Sequence, residues 1–165
     1  MPNTATGVVY IHSTPAVLRP HVEWAIANVI GTPVRLEWAN QPAQQGTVRA
    51  ELCWRGPIGT GARLASALRA CERIRFEVTE DNDTDLGHRY AWTPSLGLFC
   101  AQTSANGDIQ IPENRIRKAM SDAAAGGVPL KMALADLLGD AWDDELEVFR
   151  YAGADAPVRW LGKVG

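Results

Sequence analysis

Gly7–Gly31, GVVYIHSTPAVLRPHVEWAIANVIG, is the unit onto which most of the remaining chain can pack. Its first six residues, GVVYIH, are β-branched and aromatic and predict a strand. Ser13 to Arg19 form a polar elbow. Pro15 and Pro20 suit a first helical turn and not a helix interior, so the helix starts near Pro20. Val22, Ala25, Ile26 and Val29 fall at helical spacing, and Gly31 stops the helix.

C-terminal to this unit, Val34 to Trp38 alternate, with Val34, Leu36 and Trp38 on one face and Arg35 and Glu37 on the other. After the polar turn ANQPAQQG, Val48 to Arg55 alternate again. Thr60 is placed to cap a second helix containing Leu64, Ala67, Leu68 and Cys71, and Ile74, Phe76 and Val78 alternate into another strand. The resulting order is β-α-β-β-α-β. It predicts an α+β fold with a ferredoxin-like βαββαβ half, its helices covering the face that carries Val34, Leu36, Trp38, Leu52, Trp54, Phe76 and Val78.

The acidic stretch Glu80 to His88 is the candidate boundary, giving a unit over 1–80 and a second over 88–165, packed together. The second half reads as a β-hairpin (Arg89–Thr93 and Gly97–Thr103) and an Asn106–Gly107 turn before a short strand, Ile109–Ile111. Helices follow near 112–125, 129–138 and 140–150. Val158, Trp160 and Leu161 in the irregular tail predict that it docks.

Composition bounds the function. The chain has 165 residues, 46% hydrophobic and 21% charged, which is a globular profile. A net charge of −3 gives no general pull toward nucleic acid or an anionic membrane. Residues 1–75 hold eight Arg against four Glu; residues 76–165 hold eight Lys or Arg against fifteen Asp or Glu. The halves either attract each other or present a bipolar surface to partners. Three widely spaced cysteines without CxxC argue against a disulfide framework or a thiolate zinc site. No basic-then-apolar leader and no apolar run of about 18 residues occur, so a cytosolic protein without membrane insertion is expected.

Several motifs are weighed against plain structural roles. Arg35, Glu37, Arg49, Glu51, Arg55, Arg75 and Glu77 share the face turned away from the helices. That face is solvated and cross-paired, or covered by the second half or a partner. It lacks the aromatic platforms of an RNA-binding sheet, with Tyr10 the one candidate, so no nucleic acid is expected. His12, His21 and Glu23 lie at the elbow, where a general base would sit, yet neither GxSxG nor HxxxH spacing is present. His12 and His21 are the candidates if the elbow is catalytic; otherwise no catalytic residue is assigned. Gly56–Gly61, GPIGTG, with Arg63 is either a tight turn and cap or a phosphate cradle, though it matches neither GxxxxGK[ST] nor GxGxxG. Asp81, Asp83 and Asp85 begin like a calcium loop, but Leu86 and Trp92 break the pattern. Asp143, Asp144, Glu145 and Glu147 read as a solvated helix start. The tryptophans are read as core. No metal and no cofactor are called.

The stretches GVVYIHSTP with HVEWAIANVIG, RLASALRA with IRFEVTE, TPSLGLF, GDIQIPENRIR and LLGDAWDDELEVFRYAGADAPVRWLG resemble an actinobacterial family catalogued only as a domain of unknown function. The resemblance spans nearly the whole chain. It implies a cytosolic actinobacterial protein. Through the fatty-acid synthase genes near some members, it also implies a link to lipid metabolism. It supplies no activity and no catalytic residues. The expected function is a non-catalytic binding or regulatory module with a protein or acyl-metabolite partner, contacted through Arg35, Arg49, Arg55 and Arg75. A small enzyme using His12 or His21 on a coenzyme A or acyl-carrier substrate is the alternative, and a structural subunit of a larger assembly is a third.

Overall fold

A computed structural model describes residues 3–83 and 86–152. Seven strands form one sheet: β1 (Thr4–Pro15), β2 (Ala39–Asn40), β3 (Thr47–Pro57), β4 (Arg75–Glu80), β5 (Gly87–Thr93), β6 (Gly97–Thr103) and β7 (Ile109–Gln110). Their order is β2-β3-β1-β4-β5-β6-β7, and every neighbouring pair is antiparallel. The helices are α1 (Arg19–Ile30), α2 (Thr60–Leu68), α3 (Glu113–Ala124), α4 (Leu130–Leu138) and α5 (Asp140–Tyr151). The fold class is therefore α+β, and the first six major elements follow the β-α-β-β-α-β order. The sheet continues through the acidic stretch, because β4 pairs with β5 from Phe76–Trp92 to Glu80–His88.

Alternation along the strands separates two layers. Val9, Ile11, Trp54, Phe76 and Val78 face α1 and α2, where Val22, Ile26, Leu64 and Leu68 complete the larger core. Residues of opposite parity face α5. There Ala91, Phe99, Ala101 and Leu146 form a second core, with Trp142 packed beside Phe99 at a ring separation of 5.3 Å. The open face of the expected half is thus roofed by α5 over β1, β4 and β5, while Glu51, Cys53 and Arg55 on β3 stay exposed. Gly139 makes the turn into that helix at φ 76°, and a Cβ there would lie 2.7 Å from Phe99 Cζ. Both the backbone conformation and the close approach require glycine.

The second strand departs from expectation. Val34 to Trp38 are not a strand, and only Ala39 and Asn40 pair with β3. The cause is Glu23 on α1: its Oε1 accepts the Leu36 backbone N–H and the Trp38 indole N–H, both at 2.9 Å. Val34, Leu36 and Trp38 still pack on the larger core as expected, while their backbone is held toward α1. Arg35 and Glu37 accordingly do not belong to the sheet face. Asp85 of the calcium-like stretch and the tail residues Val158, Trp160 and Leu161 lie outside the described residues.

Candidate functional site

The densest polar constellation lies between the sheet and α5. Glu77 on β4 is fully buried. Its Oε2 accepts from His12 Nε2 at 2.7 Å and Arg150 Nε at 3.1 Å, and its Oε1 from Arg89 at 2.9 Å and from the Arg150 Nη2. Asp143 extends the cluster, taking Arg89 at 2.5 Å and Arg150 at 3.0 Å. Alternation along β1 puts His12 on the same face as Tyr10, whose partner across the ladder is Glu77, and the two rings are nearly parallel at 6.1 Å. Burial alone would raise the Glu77 carboxyl. The His12 hydrogen bond and charge, with the guanidiniums of Arg150 and Arg89, outweigh it and hold the group well below the usual carboxylate range. Burial likewise opposes the charge on Arg150, but Glu77 and Asp143 raise it above its ordinary value.

A second cluster lies beside the first. Arg75 bonds Glu145 at 3.3 Å, reaches Ser13 and Gln44, and stacks over the Phe149 ring at 4.5 Å. Glu145 also accepts from Thr93 and Ser95. Gln41, nearly buried, donates to the carbonyls of His12 and Phe149 and so ties α5 to the elbow. Every acid in these clusters has a cationic partner within the chain, and their geometry is that of a clamp on α5. The positive first half thus meets the negative second half at Arg75 with Glu145.

The sequence candidates divide accordingly. Arg75 is turned under α5. Arg35, Arg55 and Arg63 are exposed, and Arg49 is half-buried. His12 belongs to the clamp, whereas His21 is exposed on α1, in the layer across the sheet. The structure therefore does not bring the two histidines together. His21 instead borders a recess of about 310 Å³ with Trp24, Cys71 and Glu72. Trp24 is 68% exposed, against the core reading, while Trp54 is buried as read. Asp143 and Glu145 are engaged in the clamp and not solvated as a helix start.

The glycine-rich turn already holds an anion. Glu80 Oε1 accepts the Gly59 N–H at 2.8 Å and Oε2 the Gly61 N–H at 2.6 Å. A Cβ on Gly61 would lie 2.9 Å from Glu80 Oε2, so this carboxylate fills the space a phosphate would need. The capping expected of Thr60 is performed by Glu80; Thr60 is the first helical residue and donates to Pro57.

Helices α3 and α4 stand where the sequence places them, but the uncovered groove between them was not foreseen. None of the nine residues of α4 is buried, and α3 buries only Ala119. Met120, Val128, Leu130, Met132 and Leu138 are all exposed. Between the helices runs a groove of about 610 Å³ with Ala119, Ala125, Val128, Ala133 and Leu137 along its apolar floor. Arg115, Lys118, Asp122 and Asp136 stand at its rim. The signal was present in the sequence: LKMALADLL has more apolar residues than one packed face can absorb.

Among the described residues no helix is long and apolar enough to cross a membrane, and no group of three or more His, Cys, Asp or Glu is placed to hold a metal ion. These features define an α+β chain with a clamped α5 and an uncovered helical groove. By comparison with family models, it belongs to the family described as "Protein of unknown function (DUF3145)", which matches residues 8–163. No curated protein and no solved structure matches it.

Proposed function

We propose that this chain is a non-catalytic protein-binding module whose α3–α4 groove seats an amphipathic helix of a protein partner. The observation that carries this reading is α4, which buries no residue of its own while forming one wall of an apolar groove. An isolated nine-residue helix is marginal in water, and packing of an apolar face is what sustains it. Small residues on the floor let a second backbone approach closely. A rim of both signs suits the mixed polar flanks of an amphipathic helix, and exposed methionines adapt to its side chains. A cytosolic setting, an actinobacterial source and a partner from fatty-acid or lipid metabolism remain part of the proposal. The exposed Arg35 and Arg55, with the half-buried Arg49, supply further polar contacts in it, without Arg75.

The test is a photo-crosslinking amino acid at Val128, incorporated in the host cell. One discrete protein adduct that disappears when Ala133→Glu is added is the expected result. A small-molecule adduct would assign the groove to an acyl metabolite instead. No adduct, or one indifferent to Ala133→Glu, would overturn the reading.

A further inference from the structure

Among the described residues, the outer side of β3 beyond Arg49 is an open sheet edge. β2 pairs only with Val48 and Arg49, and the preceding segment, Val34 to Trp38, is drawn to Glu23 instead of extending that pairing. The Gln41 N–H bonds the Thr47 carbonyl at 2.9 Å, which places odd-numbered residues of β3 with their backbone groups outward. The Ile58 N–H bonds the carbonyl of Asn3, the residue before β1, so even-numbered residues point inward. Among the described residues, no ladder pairs with the outward groups of Glu51, Cys53 and Arg55. All three side chains are exposed. An unpaired edge of this kind is a template for another strand.

The edge is complementary to itself. Two copies meeting antiparallel about a two-fold axis must bond outward residues to outward residues. Centring the axis on Glu51 sets Glu51 against its own copy, and centring it on Arg55 does the same for Arg55. Centring on Leu52 sets Arg49 against Arg55, and centring on Trp54 pairs no opposite charges. Centring on Ala50 would face Glu51 with Arg49, but β2 already pairs with Arg49. Among the open positions, only centring on Cys53 faces opposite charges, Glu51 with Arg55, twice by symmetry, with Leu52 opposite Trp54 on the other face. Opposite charges directly across a ladder stabilise it and like charges weaken it, so one register is selected. We propose that β3 pairs with β3 of a second copy of this chain, antiparallel and centred on Cys53, to make one sheet continuous through both molecules. Arg49 and Arg55, read from sequence as contact residues, then lie at or beside an interface between copies. This surface is separate from the α3–α4 groove, and either can fail without the other.

Sedimentation equilibrium of the full chain across micromolar concentrations tests this. The expected mass is twice the 17.9 kDa of the chain. Glu51→Arg and Arg55→Glu should each give a monomer, because each sets like charges across the ladder. The double swap should restore the dimer, because it exchanges the partners while keeping the register. Mild thiol oxidation followed by peptide mass spectrometry should recover Cys53 linked to Cys53, since residues facing across a hydrogen-bonded pair sit within disulfide range. A monomeric wild type would overturn the proposal. So would a dimer unaffected by the single substitutions, or one that the double swap fails to restore.

Discussion

Replacing Glu77 by glutamine keeps the volume of the side chain and removes its charge. Two guanidiniums and an imidazole lose their shared partner: Arg89, Arg150 and His12 all bond this carboxylate, which is fully buried. Asp143 alone remains for two guanidiniums, and it is partly solvent-exposed. Breaking a buried pair from one side leaves uncompensated buried charge and costs about 3–5 kcal/mol. For a chain of this length that corresponds to a fall in Tm of roughly 6–20 °C, at about 2–4 °C per kcal/mol. Urea unfolding followed by far-UV circular dichroism and tryptophan fluorescence measures it. Glu113→Gln is the internal control, because its pair with Arg117 is exposed and one turn apart; it should cost no more than about 0.5 kcal/mol. The pH dependence has a definite sign. Glu77 is depressed in the folded state, so its contribution is complete above the unfolded value near ~4.3 and is lost as pH falls through the folded value. The gap between wild type and Glu77→Gln should therefore narrow only in acid. A loss below about 1 kcal/mol, as for an exposed pair, would refute the clamp.

Other perturbations reach separate parts of the structure. Glu80→Ala removes the carboxylate that caps α2 and should cost about 1–3 kcal/mol in urea unfolding; coenzyme A should not raise the Tm of the wild type, whose turn is already filled. Glu23→Gln should lower stability by about 1–2 kcal/mol and shift the Trp38 fluorescence, because one oxygen accepts two donors. Gly139→Ala should raise hydrogen exchange in α5 and destabilise by roughly 1 kcal/mol or more, through positive φ and contact with Phe99. His21→Ala should leave stability within about 0.5 kcal/mol, whereas His12→Ala should lower it, since only His12 belongs to the clamp.

Local pattern made the major elements legible. Gly31, Pro112 and Gly139 bracket helices that stand where the punctuation places them, the alternation of 48–55 and 74–78 assigns strand faces, and 89–93 and 97–103 form the expected hairpin. The second strand was illegible because its fate is decided by Glu23, thirteen residues before Leu36, and not by its own alternation. The cap on α2 was illegible for the same reason, since Glu80 lies 21 residues beyond Gly59. Parity placed Glu77 on the face away from α1 and α2. Its burial depends on Arg150, 73 residues later, and no periodicity carries that pairing. The opposite charges of the two halves were the available signal, and Arg75 with Glu145 realises it. The α3–α4 groove was hidden differently. Its helices follow the sequence pattern, and only the exposure of their apolar residues marks them as a surface.

The most direct test of the binding-module account is carbene footprinting of the chain in its host cell against the purified protein. The account predicts lower labelling in the cell across residues 115–137, confined to the walls and floor of the α3–α4 groove. Equal labelling of that segment in both settings, or protection confined to Arg35, Arg49 and Arg55, would contradict it.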